Sequence, residues 1–260
     1  MKLCVVHINA ETGSEPYTAQ IDAIFQAIKR SDTEITHRYA RLKRASDTVF
    51  SYPYLLNKVD VIHRLLDADR EGFDGAMVAC SGDPGVAEAR SLASIPIVGP
   101  LEAALHLACG YAYKFGVVTV EDRAWSEVCE MLVASNGLMS RCAGVRRIDI
   151  TSHEAFTKGF SDGQFVVKEI EKQARILVDQ GASAILLGSA GLSCIASTAN
   201  FKEIPGMGVP VFDVLSIGLK TLEMRVDLTK QHGLPVTSRT GYMQQFAVKD
   251  ADRVRKLFNT

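Results

Sequence analysis

The sequence predicts an α/β protein of two pseudo-symmetric lobes, each a parallel sheet covered by helices, with a cleft between them. Three observations lead there. Short β-branched runs alternate with longer helical patterns, which is the βαβ rhythm of a parallel sheet. Strands such as Ala184-Ile185-Leu186-Leu187 are unbroken apolar runs, as expected of strands buried on both faces. One stretch of the chain also repeats at a fixed interval.

In chain order, strands are expected at residues 3–9, 34–39, 75–80, 116–120, 145–150, 184–188 and 209–212. Helices are expected between them at 17–29, 55–69, 86–93, 125–135, 165–180 and 216–228. The first strand opens on an apolar run over 3–6 that is too short for a signal-peptide core. After the strand ending at Cys80, Asp83 has a helix-capping side chain and Pro84 suits a first helical position. A helix is therefore expected to begin there and run through Ala93. The most apolar stretch, 103–113, falls short of the ~18–20 residues a membrane helix needs.

The repeat is the more telling signal. Gly72-Phe73-Asp74-Gly75-Ala76-Met77-Val78-Ala79-Cys80-Ser81-Gly82 aligns without a gap on Gly181-Ala182-Ser183-Ala184-Ile185-Leu186-Leu187-Gly188-Ser189-Ala190-Gly191, every pair 109 residues apart. Each copy has an upstream helix, a glycine, a buried strand, then a small nucleophilic side chain with glycine two positions on. Downstream, Ile95-Pro96-Ile97-Val98 echoes Val209-Pro210-Val211-Phe212, and residues 3–9 resemble 115–121. Two copies of one α/β unit are implied: a first lobe of residues 1–103 plus 209–260, carrying Cys80, and a second lobe of 104–208, carrying Ser189. The plainer reading is that helix–Gly–strand–Gly recurs by chance in α/β proteins. If the copies are real, corresponding strand ends can face one another across a cleft, where open α/β sheets bind ligands. Cys80 and Ser189 then stand on opposite walls.

At 260 residues the chain is near the length at which one core stops growing, which suits two lobes. With 47% apolar and 23% charged residues it is a soluble globular protein, not a disordered, collagenous or coiled-coil one. Its 29 basic and 30 acidic residues nearly cancel, so a small-molecule substrate is the expected partner, and nucleic acid and membrane are not. Exposed apolar faces would allow a homo-oligomer, although no residue argues for one. The six cysteines (Cys4, Cys80, Cys109, Cys129, Cys142 and Cys194) contain no CxxC pair. That speaks for a reducing cytoplasm and against a zinc site or disulfide framework. Phosphate-loop, dinucleotide-turn and His-Glu-x-x-His motifs are missing, and the six histidines are dispersed, so a cofactor-independent site is expected.

At the strand ends, a thiol just before a helix N-terminus meets unpaired N–H groups and the positive end of the dipole, which favours thiolate. On that reading Cys80 is reactive. A free cysteine is otherwise a small buried apolar residue, the reading given to the other five. Ser189 falls short of a nucleophile elbow, because Leu187 stands where G-x-S-x-G requires glycine; a turn serine can also simply bond backbone groups. Asn9 and Thr12 after the first strand, and Thr119 in the corresponding strand, offer small polar groups to a ligand or serve as caps.

The segment Cys80-Ser81-Gly82-Asp83-Pro84-Gly85 closely resembles the Cys-Phe-Gly-Asp-Pro-Gly motif of hydantoin and allantoin racemases in the aspartate/glutamate racemase superfamily. Leu187-Gly188-Ser189-Ala190-Gly191-Leu192 is similar to that family's Leu-Gly-Cys-Ala-Gly-Met, and Val209-Pro210-Val211-Phe212-Asp213 to its Val-Pro-Val-Ile-Asp. The likeness runs from the first strand to about Thr221. It implies two Rossmann-like lobes with the active site between them, and two bases working on opposite faces of an α-carbon. It also implies substrate contacts at Asn9 and Thr12, which match the ends of an Asn-Pro-Asn-Thr loop, and at Thr119, which matches a Val-Thr position. Contacts from Ser81, Gly82, Ala190 and Gly191 complete the expected set.

Two departures matter. Ser81 stands where the hydantoin enzymes carry an aromatic residue, and Ser189 where the family has its second catalytic cysteine. A hydroxyl is a far poorer base than a thiol near neutral pH. Ser189 is therefore an introduced replacement, a native group working weakly or through water, or the mark of a one-thiol catalyst like the superfamily's arylmalonate decarboxylases. The expected function is cofactor-independent racemisation or epimerisation of a small hydantoin- or ureide-like substrate. Its rivals are decarboxylation of a malonate-like acid, a catalytically silent small-ligand binder and, last, a hydrolase.

Overall fold

The computed structural model describes residues 1–258. The chain begins with β1 (Lys2–His7), α1 (Glu15–Ile28), β2 (Glu34–Tyr39), α2 (Ser51–Arg70), β3 (Gly75–Val78), α3 (Val86–Arg90), β4 (Ile97–Val98) and α4 (Pro100–Ala108). It continues with β5 (Phe115–Thr119), α5 (Arg123–Ser135), β6 (Cys142–Arg147), α6 (Ser152–Lys158), α7 (Gly163–Asp179), β7 (Ile185–Leu187) and α8 (Ala190–Thr198). It closes with β8 (Glu203–Ile204), β9 (Val209–Phe212), α9 (Val214–His232) and α10 (Val248–Leu257).

The strands form two sheets, ordered β2-β1-β3-β4 and β6-β5-β7-β9-β8. All neighbours are parallel except β8, which pairs antiparallel with β9. The sequence repeat reappears as register. In the first sheet Cys4, Val5 and Val6 pair with Ala76, Met77 and Val78; in the second Gly116, Val117 and Val118 pair with Ile185, Leu186 and Leu187. Ile97 pairs with Ala76 as Val211 pairs with Ile185. Each of these four partner pairs in the first sheet is the echo of one in the second. Chance recurrence of a local pattern would not reproduce three strands in one register.

Both faces of each central strand are buried. Leu3 and Val5 pack with Ile21 and Phe25 of α1 and Leu219 and Leu222 of α9. Cys4 and Val6 turn the other way, onto Val61 and Leu65 of α2, in a cluster that continues through the second sheet. The division at residue 209 needs correcting. β9 is the second sheet's counterpart of β4, and the chain rejoins the first lobe only with α9, which packs on β3 and α4. Residues 259–260 of that segment lie outside the described residues. The sequence reading also had no helix at α4 or α8. Among the described residues no helix is long and apolar enough to cross a membrane.

Candidate active site

Cys80 and Ser189 each lie two residues past the end of a central strand, at β3 and β7. Both are buried, with 4% and 6% of their surface exposed. Ser189 caps α8, its Oγ accepting from the Leu192 N–H at 3.4 Å, while its carbonyl takes the Ser193 N–H. The first two N–H groups of α8, from Ala190 and Gly191, have no partner within the helix and sit at its positive end.

The two turns meet across Trp125 of α5. The indole Nε1 donates to the Gly188 carbonyl at 2.9 Å, directly before Ser189. At the other end of the ring, a Cβ added to Gly82 would come within 2.9 Å of Trp125 Cη2. The thiol loop and the serine turn are therefore separated by about the span of one indole. Gly188 O also accepts from Thr119 Oγ1 at 2.9 Å and from Cys129 Sγ at 3.4 Å. On the first lobe, Tyr54 of α2 donates its hydroxyl to Gly82 O at 2.9 Å. Trp125, Tyr54 and Cys129 escaped the sequence reading because nothing local marks them.

Other expected ligand groups are occupied differently. The Asn9 amide donates to Ser14 Oγ, which donates on to Ala10 O at 2.6 Å. Thr12 is exposed on the turn after β1. Thr119 is buried, with its hydroxyl proton committed to Gly188, so it holds the serine turn. A side chain on Gly191 would strike the Phe156 ring at 2.4 Å. Ser81 is fully buried, and its Oγ has no hydrogen-bond partner.

The loop after Cys80 differs from expectation, and so does the state of the thiol. Asp83 takes a left-handed backbone (φ 46°) and Gly85 follows at φ 76°, delaying α3 until Val86. Instead of capping that helix, the Asp83 carboxylate accepts from the Leu101 and Glu102 N–H groups at 3.1 and 2.7 Å, capping α4. Gly99 makes this possible, since a Cβ there would lie 2.5 Å from Asp83 Cγ. The helix expected to start directly after Cys80 is thus set back from it. Burial pushes its thiol up to about 12, against the pull of the Gly82 N–H, which donates to Sγ at 3.4 Å. The resting group is a thiol, not the thiolate the sequence suggested. Burial also raises the Asp83 carboxyl to about 7, its two N–H donors opposing.

Cys4, Cys129 and Cys194 match the plain reading of buried apolar cysteines, each pushed up to about 12 mainly by burial. Two histidines are not dispersed. His7 Nε2 and His37 Nδ1 lie 2.8 Å apart, and burial drives His7 down to about 3. Among the described residues no group of three or more His, Cys, Asp or Glu side chains is arranged to hold a metal ion.

The family described as Asp/Glu/Hydantoin racemase matches residues 5–222. The chain belongs to that family. A hydantoin racemase of Pseudomonas sp. (strain NS671) is 32% identical over 231 residues, covering 89% of this chain and 88% of the relative. An allantoin racemase structure from Klebsiella pneumoniae superposes with a TM-score of 0.75 at 27% identity, covering 95% and 94% of the two chains. A doubly substituted arylmalonate decarboxylase shares the fold alone, at a TM-score of 0.59 and 15% identity over 86% and 91%. The family member described here is a racemase, an isomerase.

Proposed function

We propose that this racemase acts without a cofactor on a hydantoin- or ureide-like substrate, inverting a carbon next to a carbonyl through Cys80 on one face and Ser189 on the other. One observation carries the reading. The two residues stand just past corresponding strands of two units in the same register, and Trp125 spans their turns.

Cys80 thiolate removes the α-proton, and the carbon's electron pair moves onto the carbonyl oxygen. The Ala190 and Gly191 N–H groups at the start of α8 meet that developing charge, where fixed donors contribute several kcal/mol. Burial has two consequences for the sulfur. With a resting thiol at about 12, forming thiolate at pH 7 costs about 7 kcal/mol. Once formed, a desolvated thiolate is a strong base, and taking the proton restores the neutral state that the site prefers. The planar enolate then receives the Ser189 hydroxyl proton as that hydroxyl takes one from a solvent water, and the hydroxide so formed is neutralised by the proton Cys80 took, so that no alkoxide is left and the thiolate is restored; Oγ keeps its bond from the Leu192 N–H throughout. Reprotonation there yields the opposite enantiomer.

The test is α-hydrogen exchange in D2O over a panel of 5-monosubstituted hydantoins, allantoin and free amino acids. Exchange with the ureides, reduced about 10²–10⁴-fold by Cys80→Ala, is the expected result. Equal exchange by the variant, or CO2 release from aryl malonates in its place, refutes the reading.

A further inference from the structure

We propose that Asn57 and Ser81 form a subsite that reads the amide edge of the substrate, so that the enzyme selects ureides presenting an N–H and a C=O side by side. The inference rests on the ureide reading above and gives that substrate its recognising residues.

Both side chains are buried, with 4% of Asn57 and none of Ser81 exposed. Yet Asn57 Nδ2, Asn57 Oδ1 and Ser81 Oγ have no hydrogen-bond partner. Native proteins pair almost all such groups, because each bears the full cost of leaving water when it is not paired. Three unpaired polar atoms beside one loop call for a common cause.

Helical spacing fixes where Asn57 points. It lies on α2 three residues after Tyr54 and four before Val61, on the stripe turned toward the sheet. Tyr54 reaches Gly82 O on one side. One turn further, Asp60 accepts the Arg41 N–H at 2.6 Å, while Ala10 donates to Leu42 O at 2.7 Å. Asn57 is thus aimed between the Cys80-Ser81-Gly82 loop and the loop that follows β1. These are the two first-lobe strand ends that flank the thiol.

A primary amide offers donor and acceptor together, matching the cis N–H/C=O edge of a five-membered ureide through two antiparallel hydrogen bonds. A carboxylate such as that of a free amino acid has only acceptors and would leave Oδ1 unpaired. The Ser81 hydroxyl, which donates and accepts, serves the adjacent carbonyl.

The experiment compares kcat/KM for a 5-monosubstituted hydantoin with its 1-methyl and 3-methyl derivatives, using the parent enzyme, Asn57→Leu and Ser81→Ala. The parent is expected to reject one methyl derivative by tenfold or more. Asn57→Leu is expected to lose about 10- to 100-fold on the unmethylated substrate, chiefly through KM, and to discriminate little between the substrates. A purely structural role would lower both substrates alike. The proposal is overturned if Asn57→Leu keeps the parent's KM and discrimination. It is overturned too if the parent treats methylated and unmethylated substrates equally, a result that needs no variant to fold. Failure of the underlying reading looks different: the parent then exchanges no ureide α-hydrogen at all.

Discussion

Asp83→Asn isolates the least ordinary acid near the site. The carboxyl is buried and its folded value lies near 7, against 3.8 ordinarily. Below pH 3.8 it is neutral in both folded and unfolded states. Between those values the folded protein keeps a proton that the unfolded chain has released, so stability falls as pH rises through the window. The gap of about three units amounts to about 4 kcal/mol once both states are ionised. The amide of D83N does not titrate. It keeps one acceptor oxygen but turns its NH2 toward the second of the Leu101 and Glu102 N–H groups, where the neutral acid's hydroxyl oxygen can still accept, so near pH 4 the variant is expected to be the less stable by about 1–3 kcal/mol. By pH 8 the variant is expected to be the more stable, the difference having swung by about 4 kcal/mol in its favour. Urea unfolding at several pH values, followed by the fluorescence of Trp125, the only tryptophan, measures the swing. A difference that moves by less than about 1 kcal/mol between pH 4 and 8 refutes the claim that Asp83 is a buried acid held protonated by desolvation.

Ser189→Cys is expected to raise the racemisation rate by supplying a better proton carrier on the second wall, and an unchanged or lower rate in a polarimetric assay argues against a two-sided site. Trp125→Phe removes the bond to Gly188 O, and should cost about 1 kcal/mol in unfolding free energy and reduce α-hydrogen exchange; retention of full exchange would show that the serine turn does not depend on the indole. Because the Cys80 thiol is pushed up to about 12, its alkylation by iodoacetamide should be slow at pH 8 and rise nearly tenfold per unit above it, with rapid labelling at neutral pH contradicting the burial argument. For the enantiomer whose α-hydrogen faces Cys80, exchange with retention should outrun inversion; mass-spectrometric exchange rates equal to inversion rates for both enantiomers would exclude unequal walls.

The fold was legible because its main signals are local or repeated. Apolar runs gave the strands, and the 109-residue echo carried their register, since Ala76 and Ile185 occupy the same place in their sheets. What remained hidden depends on partners distant in sequence. Asp83-Pro84 reads as a helix start, but left-handed Asp83 sends the carboxylate to α4, and nothing near residue 83 reveals that acceptor. The thiol's state is hidden for the same reason: the helix whose dipole would act on it begins only at Val86, and its burial depends on the assembled core. β9 was assigned to the wrong lobe although its echo of β4 was already visible; the register of Val211 on Ile185 decides it. Trp125 carries no motif, and only the assembled cleft brings its two ends to Gly82 and Gly188.

A duplicated scaffold equalises geometry but not chemistry. The shared register gives Cys80 and Ser189 equivalent stations, and on the proposed mechanism a substrate carbon between them has one approach from each side. Which proton transfer limits the rate is then set by the side chains alone. The sulfur, buried and neutral at rest, can cycle between thiol and a small population of thiolate, whereas an alcohol has no accessible anion near neutral pH and can only pass a proton along to or from a neighbour. Microscopic reversibility makes the Ser189-side transfer common to both directions of inversion, so it slows both enantiomers equally and leaves the equilibrium between them untouched. What it separates is labelling from inversion. On that mechanism, an enolate formed by Cys80 can return to its original face many times before the second wall acts. On the proposed mechanism, a hydroxyl in place of one thiol leaves the reaction class unchanged and makes the α-hydrogen's exchange, more than its inversion, the sensitive measure of what the first wall does.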